Sequence, residues 1–297
     1  MSLLANAGPY DLTKTWYVDG TATDVGTVTV GIVDGNGDEV VASGTSTTNN
    51  ADGTYTYALA DQTEPNMLTV TWTRSDANGD LSDELEVVGG RLFTEAAFRA
   101  HNDDLFSSEA RYPDATIAAA RDAVTELLEQ WTGQSWIRRY VRLELRGTGA
   151  YDLGLSDGIA RTSAGKHLSR PGRLRHIDTI LSASVSGSSI TASNVVAERG
   201  VLWRTDGTWS TGTTSNPFNV KLEYVYGHAY TTDNVDRIAM LLTADRLRET
   251  VMSDRTTSFS DELGTYRYET PGRWGNVSAI PEVNEWVKSH RDPVSVV

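Results

Sequence analysis

The chain has 297 residues, of which 39% are hydrophobic and 22% charged, and its formal net charge is −14. This composition is that of a folded protein with room for about two domains, and it excludes wholesale disorder. No run of about 18 apolar residues occurs, so no transmembrane helix is predicted, and the first residues lack the pattern of a secretory signal. The absence of cysteine excludes disulfides and thiolate metal sites.

The acidic charge is concentrated in the first third of the chain. Residues 1–90 carry two basic and 14 acidic residues, a net charge of −12, whereas residues 91–297 carry 24 basic and 26 acidic residues, a net of −2. So sharp a change predicts two units with different surroundings. The acidic unit is expected to repel nucleic acid.

The first 90 residues predict a small all-β domain. Apolar and polar residues alternate along four segments, which are separated by turn residues that tolerate positive φ. Strands at this spacing, with no helical stretch, predict an immunoglobulin-like β-sandwich over residues 1–90. The predicted strands are 27–33, 54–59, 67–73 and 81–88.

Gly89-Gly90 is the predicted boundary, and residues 91–297 are the predicted second domain. This domain is expected to be helical at about 92–133 and 233–252, with an inserted β-rich segment at about 135–230 and a C-terminal tail at 271–297. The whole chain is therefore predicted to be α+β. The second domain is expected to stay folded, and to keep its assembly behaviour, when residues 1–90 are removed.

The helix predicted at 113–131 has the strongest pattern in the chain. Its apolar residues recur at i, i+3 and i+4, and Trp131 ends that stripe, so Trp131 is predicted to lie in the core. Thr94 and Asp233 are predicted to cap two other helices. The remaining predicted elements are helices at 93–101, 235–251 and 282–291, strands at 140–145, 177–185, 201–204 and 220–226, and a long loop at 253–276.

The sequence contains no recognisable catalytic or ligand-binding pattern, so no active site is predicted. No nucleotide loop and no nucleophile motif occurs, so neither an enzyme nor a cofactor nor a metal site is expected. Asp34 and Asp38 resemble part of a calcium loop that lacks its closing glutamate; a turn-stabilising role is favoured, and calcium remains the alternative. Five histidines are scattered without a metal-binding spacing: His101, His167, His176, His228 and His290.

Two further clusters leave alternatives open. Residues 137–175 carry nine basic and three acidic residues, a net of +6. They form either a solvated face or a contact with an acidic neighbour or with DNA phosphates. An aromatic cluster is expected to pack in the core or at a subunit interface, rather than to form a ligand platform, and it comprises Trp203, Tyr224, Tyr226 and Tyr230.

The segment ending in Glu129–Trp136 resembles the signature of phage head-to-tail connector (adaptor) proteins. In that signature a helix ends in an acidic-aromatic-Thr-Gly-x-Ser-aromatic turn, and this sequence reads EQWTGQSW. Features of the actinobacteriophage form of the family follow in order, so that the resemblance covers residues from about 92 to about 250. They are Arg142–Gly147, Leu153 with Leu155, Ile177–Val185, Gly200–Arg204, Trp209, and Tyr224 with Gly227 and His228.

The resemblance implies a structural virion protein of long-tailed double-stranded DNA phages. A ring of about twelve copies would bind the portal protein and neighbouring copies, and would extend the DNA channel to the next tail-side connector or tail terminator protein. Genomic DNA would pass through without specific binding. The protein would be assembled in the host cytoplasm, without contact with a membrane, and would reside at the head-tail interface of the virion. Residues 1–90 lie outside the resemblance and are interpreted as an appended module.

Four residues are predicted to contact partners. Arg170 and Arg173 flank Pro171-Gly172 in a probable exposed loop, and Trp274 and Trp286 lie in the C-terminal tail, which is the candidate for portal contact. The alternative function is a cell-surface or tail-fibre adhesin with an immunoglobulin-like module. The predicted helices at 113–131 and 235–251 count against it, since adhesins are built mainly from strands.

Overall fold

The computed structural model describes residues 2–75, 79–101, 106–154, 159–161, 167–168, 177–198, 201–228, 234–248, 258–261, 264–267 and 277–291. It contains mixed sheets and helices, so the protein is α+β. The chain divides into two compact units. Residues 1–90 and 137–229 form the first unit, and residues 91–136 and 230–297 form the second.

In the first unit, residues 2–88 form two sheets that enclose one hydrophobic core. The five-stranded sheet has the order β1-β10-β9-β5-β6 and the three-stranded sheet the order β2-β8-β7, while β3 and β4 pair as a hairpin. Alternate residues of β9, Leu68, Val70 and Trp72, point into the core, where Tyr55 and Leu59 of β8 meet them. The strands are β1 Ser2–Leu4, β2 Tyr10–Thr15, β3 Tyr17–Val18, β4 Thr21–Ala22, β5 Val28–Val33, β6 Glu39–Ser46, β7 Thr48–Asn49, β8 Thr54–Leu59, β9 Asn66–Arg74 and β10 Asp80–Val88.

The rest of the first unit is a second β-structure. A six-stranded sheet has the order β14-β13-β11-β19-β15-β16, and a three-stranded sheet has the order β12-β18-β17. Leu143 of β11, Leu222 of β19 and Leu202 of β18 belong to one core with the loop residue Trp209. The strands are β11 Arg139–Leu145, β12 Asp152–Gly154, β13 Ile159–Arg161, β14 His167–Leu168, β15 Ile177–Val185, β16 Ser188–Ile190, β17 Val195–Glu198, β18 Val201–Arg204 and β19 Val220–Tyr226.

The second unit is mainly helical. Helix α2 packs against α1, α3 and α4, and α3 also packs against α4. Arg121 of α2 is buried and donates to the carboxylate of Glu95 in α1 at 2.6 Å, which ties the first two helices together. The elements are α1 Glu95–His101, α2 Asp114–Thr132, α3 Val235–Leu247, β20 Ser258–Asp261, β21 Gly264–Arg267 and α4 Pro281–His290.

The apolar stripe of α2 is buried as predicted over most of its length, but not at its end. Ile117, Val124 and Leu128 are buried, whereas Trp131 is only half-buried. The prediction that Trp131 is a core residue therefore needs correction. Of the two tryptophans at this end of the helix, the buried one is Trp136, which follows the helix and is 2% exposed.

Three other local predictions have a clear outcome. The backbone N–H of Ala97 donates to Thr94 Oγ1 at 3.2 Å, so the predicted cap of α1 is confirmed. Asp233 lies outside the described residues. The long loop predicted at 253–276 is wrong in part, because β20 and β21 pair there as an antiparallel hairpin.

The grouping of the chain differs from the predicted one. The change from the first unit to the second falls at the predicted boundary, after Gly90. Beyond it, however, the β-rich segment belongs with residues 1–90, and only the helical segments form the second unit. The β-rich segment joins the first unit through contacts between strand β11 and residues 1–90.

Asp24 links three segments of the β-structure formed by residues 2–88. Its Oδ1 accepts hydrogen bonds from the backbone N–H of Gly26 at 2.9 Å, from Asn49 Nδ2 at 2.9 Å and from the hydroxyl of Tyr55 at 2.8 Å. These donors hold the pKa of Asp24 below the ordinary value of 3.8, with the N–H of Gly26 contributing most. The ionised carboxylate therefore stabilises the fold.

We expect Asp24→Asn to weaken the acid dependence of stability. Because the folded-state pKa is lowered, the contribution of Asp24 is present above about pH 4 and is lost as the pH falls through the folded-state value. Melting temperatures measured from neutral pH to about pH 3 should fall more steeply for the wild type than for the variant. Asp19→Asn, at an exposed turn, is the control and should follow the wild type. Parallel curves for wild type and Asp24→Asn would contradict this role.

Candidate functional site

The end of α2 is a closed turn built by the residues of the EQWTGQSW segment. Gly133 ends the helix with φ of 74°, in the left-handed region that favours glycine, and its N–H donates to the carbonyl of Glu129 at 2.9 Å. The buried carboxylate of Glu129 accepts from Ser135 Oγ at 2.8 Å. Trp136 Nε1 donates to Thr132 Oγ1 at 3.0 Å. Two side-chain pairs, Glu129 with Ser135 and Thr132 with Trp136, thus stabilise the turn.

An aromatic cluster in the second unit joins this turn to α4. The ring centroids of Trp136 and Trp286 lie 5.0 Å apart, and His290 stacks on Trp286 at 4.3 Å. Gln134 Nε2 also donates to the carbonyl of His290 at 2.8 Å. Trp286, a predicted partner contact, is thus buried in its own unit and is 9% exposed. The other predicted contacts, Arg170, Arg173 and Trp274, lie outside the described residues.

The start of the basic segment meets an acidic neighbour, and that neighbour is the first 90 residues of the same chain. Arg139, 4% exposed, forms an ion pair with Glu86. Arg138 lies 3.8 Å from the carboxylate of Glu64 and donates to Asp178 at 2.9 Å. Of the two contacts considered from the sequence, an acidic partner or DNA phosphates, these two arginines make the acidic one. We call this contact region on β11 the junction.

Tyr140 and Arg142 form the second part of the junction. Arg142 Nη1 donates to the carbonyl of Gly35 at 3.1 Å. The buried ring of Tyr140 lies so close to Gly35 that a Cβ atom built there would be 2.3 Å from Tyr140 Cε1. Only a glycine fits at this position without displacing the ring. Tyr140 and Arg142 lie on the same side of β11, opposite the side that Val141 and Leu143 contribute to the core.

The turn that presents Gly35 is held by the aspartate interpreted from the sequence as a turn stabiliser. Asp34 Oδ1 accepts from the backbone N–H groups of Asn36 and Asp38, each at 2.9 Å, and Asn36 Nδ2 bonds to Asp38 Oδ2 at 3.1 Å. These bonds close the turn between β5 and β6. Within the described ranges, no group of three or more histidine, aspartate or glutamate side chains is arranged to hold a metal ion.

The electrostatics of the junction suit packing rather than chemistry. Burial raises the pKa of Tyr140, and the nearby carboxylate of Glu223 raises it further. The phenol therefore stays protonated at neutral pH. Glu223 is itself buried and accepts from Ser182 Oγ at 2.8 Å. A phenol that stays protonated is not an activated nucleophile.

The predicted aromatic cluster is only partly one cluster. Tyr224 and Tyr226 are buried in the core of the second β-structure, with ring centroids 6.2 Å apart. Tyr230 lies outside the described residues. Trp203 is 45% exposed and lies opposite Val196, which is 47% exposed, on the outer side of the three-stranded sheet. Sequence reasoning missed Val196 and the neighbouring Tyr151, since single exposed apolar residues leave no periodic signal.

Comparisons with known proteins identify no family. No family model matches the chain, and no curated protein matches it. One solved chain with some likeness comes from the neck of an empty GTA particle computed with C6 symmetry, at 14% identity and a TM-score of 0.38, covering 66% of this chain and 87% of that one. Another is a chimeric titin Z1Z2-Z1Z2 tandem, at 10% identity and a TM-score of 0.25, covering 80% and 82%. At these TM-scores neither likeness establishes a shared fold.

Within the described part of the chain, no helix is both long and apolar enough to cross a bilayer.

Proposed function

We propose that this protein is a structural virion component, a head-to-tail adaptor that forms a ring beneath the portal and extends the DNA channel toward the tail. The observation that carries the proposal is the turn at the end of α2. The residues through which the sequence resembles connector proteins, Glu129 to Trp136, bond to one another there. Residues that bond to one another in this way stabilise a local turn, which supports a structural role for the motif.

The helical unit is consistent with this role. Helix α2 is enclosed by α1, α3 and α4, and its buried polar residues have partners inside the unit. In the proposed role as an adaptor, the protein has no catalytic function. The presence of these helices counts against the adhesin alternative.

We propose that residues 1–90 are an immunoglobulin-like module appended to the adaptor. The strand orders β10-β9-β5-β6 and β2-β8-β7 correspond to the G-F-C-C′ and B-E-D sheets of that fold. The parallel pairing of β1 with β10 adds a further strand beside the last one. The proposed partners are the portal protein, neighbouring copies in a ring of about twelve, and the next protein on the tail side.

The proposed function is tested by reconstitution with portal particles. Purified protein should sediment with portal-bearing heads, and electron microscopy should then show a ring at the portal vertex. A monomer that neither binds heads nor forms rings at high concentration would contradict the proposal.

We expect Arg170→Glu with Arg173→Glu to impair attachment to the portal or to neighbouring copies while the monomer stays folded. The paired substitution Arg246→Glu with Arg248→Glu, at exposed positions at the end of α3, makes the same charge change outside the predicted contacts and is the control. Attachment is measured by sedimentation with heads, and folding by circular dichroism. Normal attachment of the first variant would show that these arginines are not contacts.

A related expectation concerns DNA. Because the chain has a net charge of −14, we expect it to bind duplex DNA weakly, with a dissociation constant above about 10 µM at physiological salt. Fluorescence anisotropy with a labelled duplex measures this. Tight, salt-resistant binding would contradict a channel that lets the genome pass.

A further inference from the structure

We propose that the junction locks residues 1–90 onto the β11 sheet as one rigid body, so that this module is held at one fixed angle rather than tethered. The lock itself is independent of the proposed function. Its consequence in a virion, a ring whose copies all present their modules alike, rests on that function.

The attachment points are spread over three segments at one end of the module. The turn between β5 and β6 supplies Gly35, the loop before β9 supplies Glu64, and the end of β10 supplies Glu86. The strand registers place these segments together, since Val33 of β5 pairs with Thr69 near the start of β9. Contacts from three separate segments of the module restrain its motion relative to the sheet, whereas one contact would leave a hinge.

The backbone adds a restraint beside these side chains. The N–H of Gly89 donates to the carbonyl of Arg138 at 2.9 Å, and a Cβ atom at Gly89 would lie 2.7 Å from Arg138 Cβ. Gly89 is the penultimate residue of the first segment, and Arg138 is the second residue after the chain returns to the unit. The two backbone segments are therefore fastened to each other where a flexible linker would otherwise act.

Opening the junction would be costly. Arg139 is almost fully buried and Glu86 is partly buried, so opening would break an ion pair formed in a desolvated site. The Tyr140 ring would become exposed at the same time. The ion pair, the packing of the aromatic ring and the backbone hydrogen bond lie side by side, so they would be lost together. A partly open state would lose these contacts without gaining free motion of the module, and a single closed arrangement is therefore favoured.

The test measures the distance between the module and the sheet in the full-length chain. The protein has no cysteine, so Thr48→Cys and Ser193→Cys, both at exposed positions, introduce two clean sites for spin labels. Double electron–electron resonance should give one narrow distance distribution in this background. A broad distribution there would overturn the proposal.

Two variants then test whether the junction is the cause. Gly35→Val with Glu86→Ala places a side chain against the Tyr140 ring and removes the ion pair of Arg139. Tyr140→Ala with Arg142→Ala and Glu86→Ala removes the same contacts without a clash. Either should widen the distribution about twofold or more, because domain motion is the default where no interface restrains it. Gly90→Val is the matched control, since a Cβ there would meet nothing within 4 Å.

The second variant keeps the test valid if the first variant fails to fold, which circular dichroism reports. A distribution that stays narrow in a folded variant of either kind would overturn the lock. Ring formation is measured separately by light scattering of the same chains. A narrow distribution in a chain that forms no rings supports the lock and contradicts only the proposed function.

Discussion

Trp136→Ala is expected to destabilise the helical unit by about 3–5 kcal/mol, the range for truncating a large buried aromatic side chain. The ring of Trp136 is 2% exposed, packs against Trp286 and His290, and donates to Thr132 Oγ1. Its removal would leave a cavity between α2 and α4 and would remove the shorter of the two hydrogen bonds that Thr132 Oγ1 accepts. Denaturant unfolding followed by far-ultraviolet circular dichroism measures the loss.

Two other tryptophans provide controls. Trp131 is half-buried and Trp203 is 45% exposed, so alanine at either position should cost clearly less. If Trp131→Ala were the more damaging change, the end of α2 would have to be turned so that Trp131, and not Trp136, faces the core. Equal effects at positions 136 and 203 would likewise contradict the packing described.

Deletion of residues 1–90 is expected to destabilise the remaining chain by about 3–5 kcal/mol, from exposure of an aromatic ring and loss of a buried ion pair. The deletion would expose Tyr140 and remove Glu86 from Arg139. For a chain of this size the loss corresponds to a melting temperature lower by roughly 10 °C. Thermal scans of the full-length protein and of residues 91–297 measure the difference.

This expectation competes with the one drawn from charge and composition. If residues 91–297 melted at the same temperature as the intact chain, they would be an independent domain, as the sequence predicts. The full-length variant Glu86→Ala measures how much of the loss of stability comes from the ion pair. It should account for only part of the loss, because the contact between Tyr140 and Gly35 remains.

Local patterns predicted most elements because their signals are local. The bounds of β8, β15, β18 and β19 match the predicted segments, and α2 differs by one residue at each end. Strands with weak alternation were missed. Leu12 is the only buried residue in β2, and β6 is an edge strand whose residues are mostly exposed. An edge strand without a buried side carries no period-two pattern.

The grouping of elements depends on pairs that are distant in sequence, and no periodicity encodes them. Arg139 and Glu86 are 53 residues apart, and Arg142 and Gly35 are 107 apart. The charge contrast left a solvated face, an acidic partner and DNA phosphates open for the basic segment, and it did not identify the first 90 residues as the partner. Trp131 and Trp136 show the same limit of local patterns. Helical periodicity ends before Gly133, and the left-handed turn at that glycine determines which of the two rings reaches the core.

The alternation of the chain between its two units has a consequence during synthesis. Residues 91–136 belong with residues 230–297, so α2 emerges from the ribosome long before α3 and α4 exist to cover it. At translation rates of about 5–20 residues per second, its apolar stripe waits roughly 8–30 s for the last helix. A chain broken off within this interval keeps that stripe uncovered. Such fragments are expected to aggregate or to be degraded. Only complete chains would then remain available for assembly.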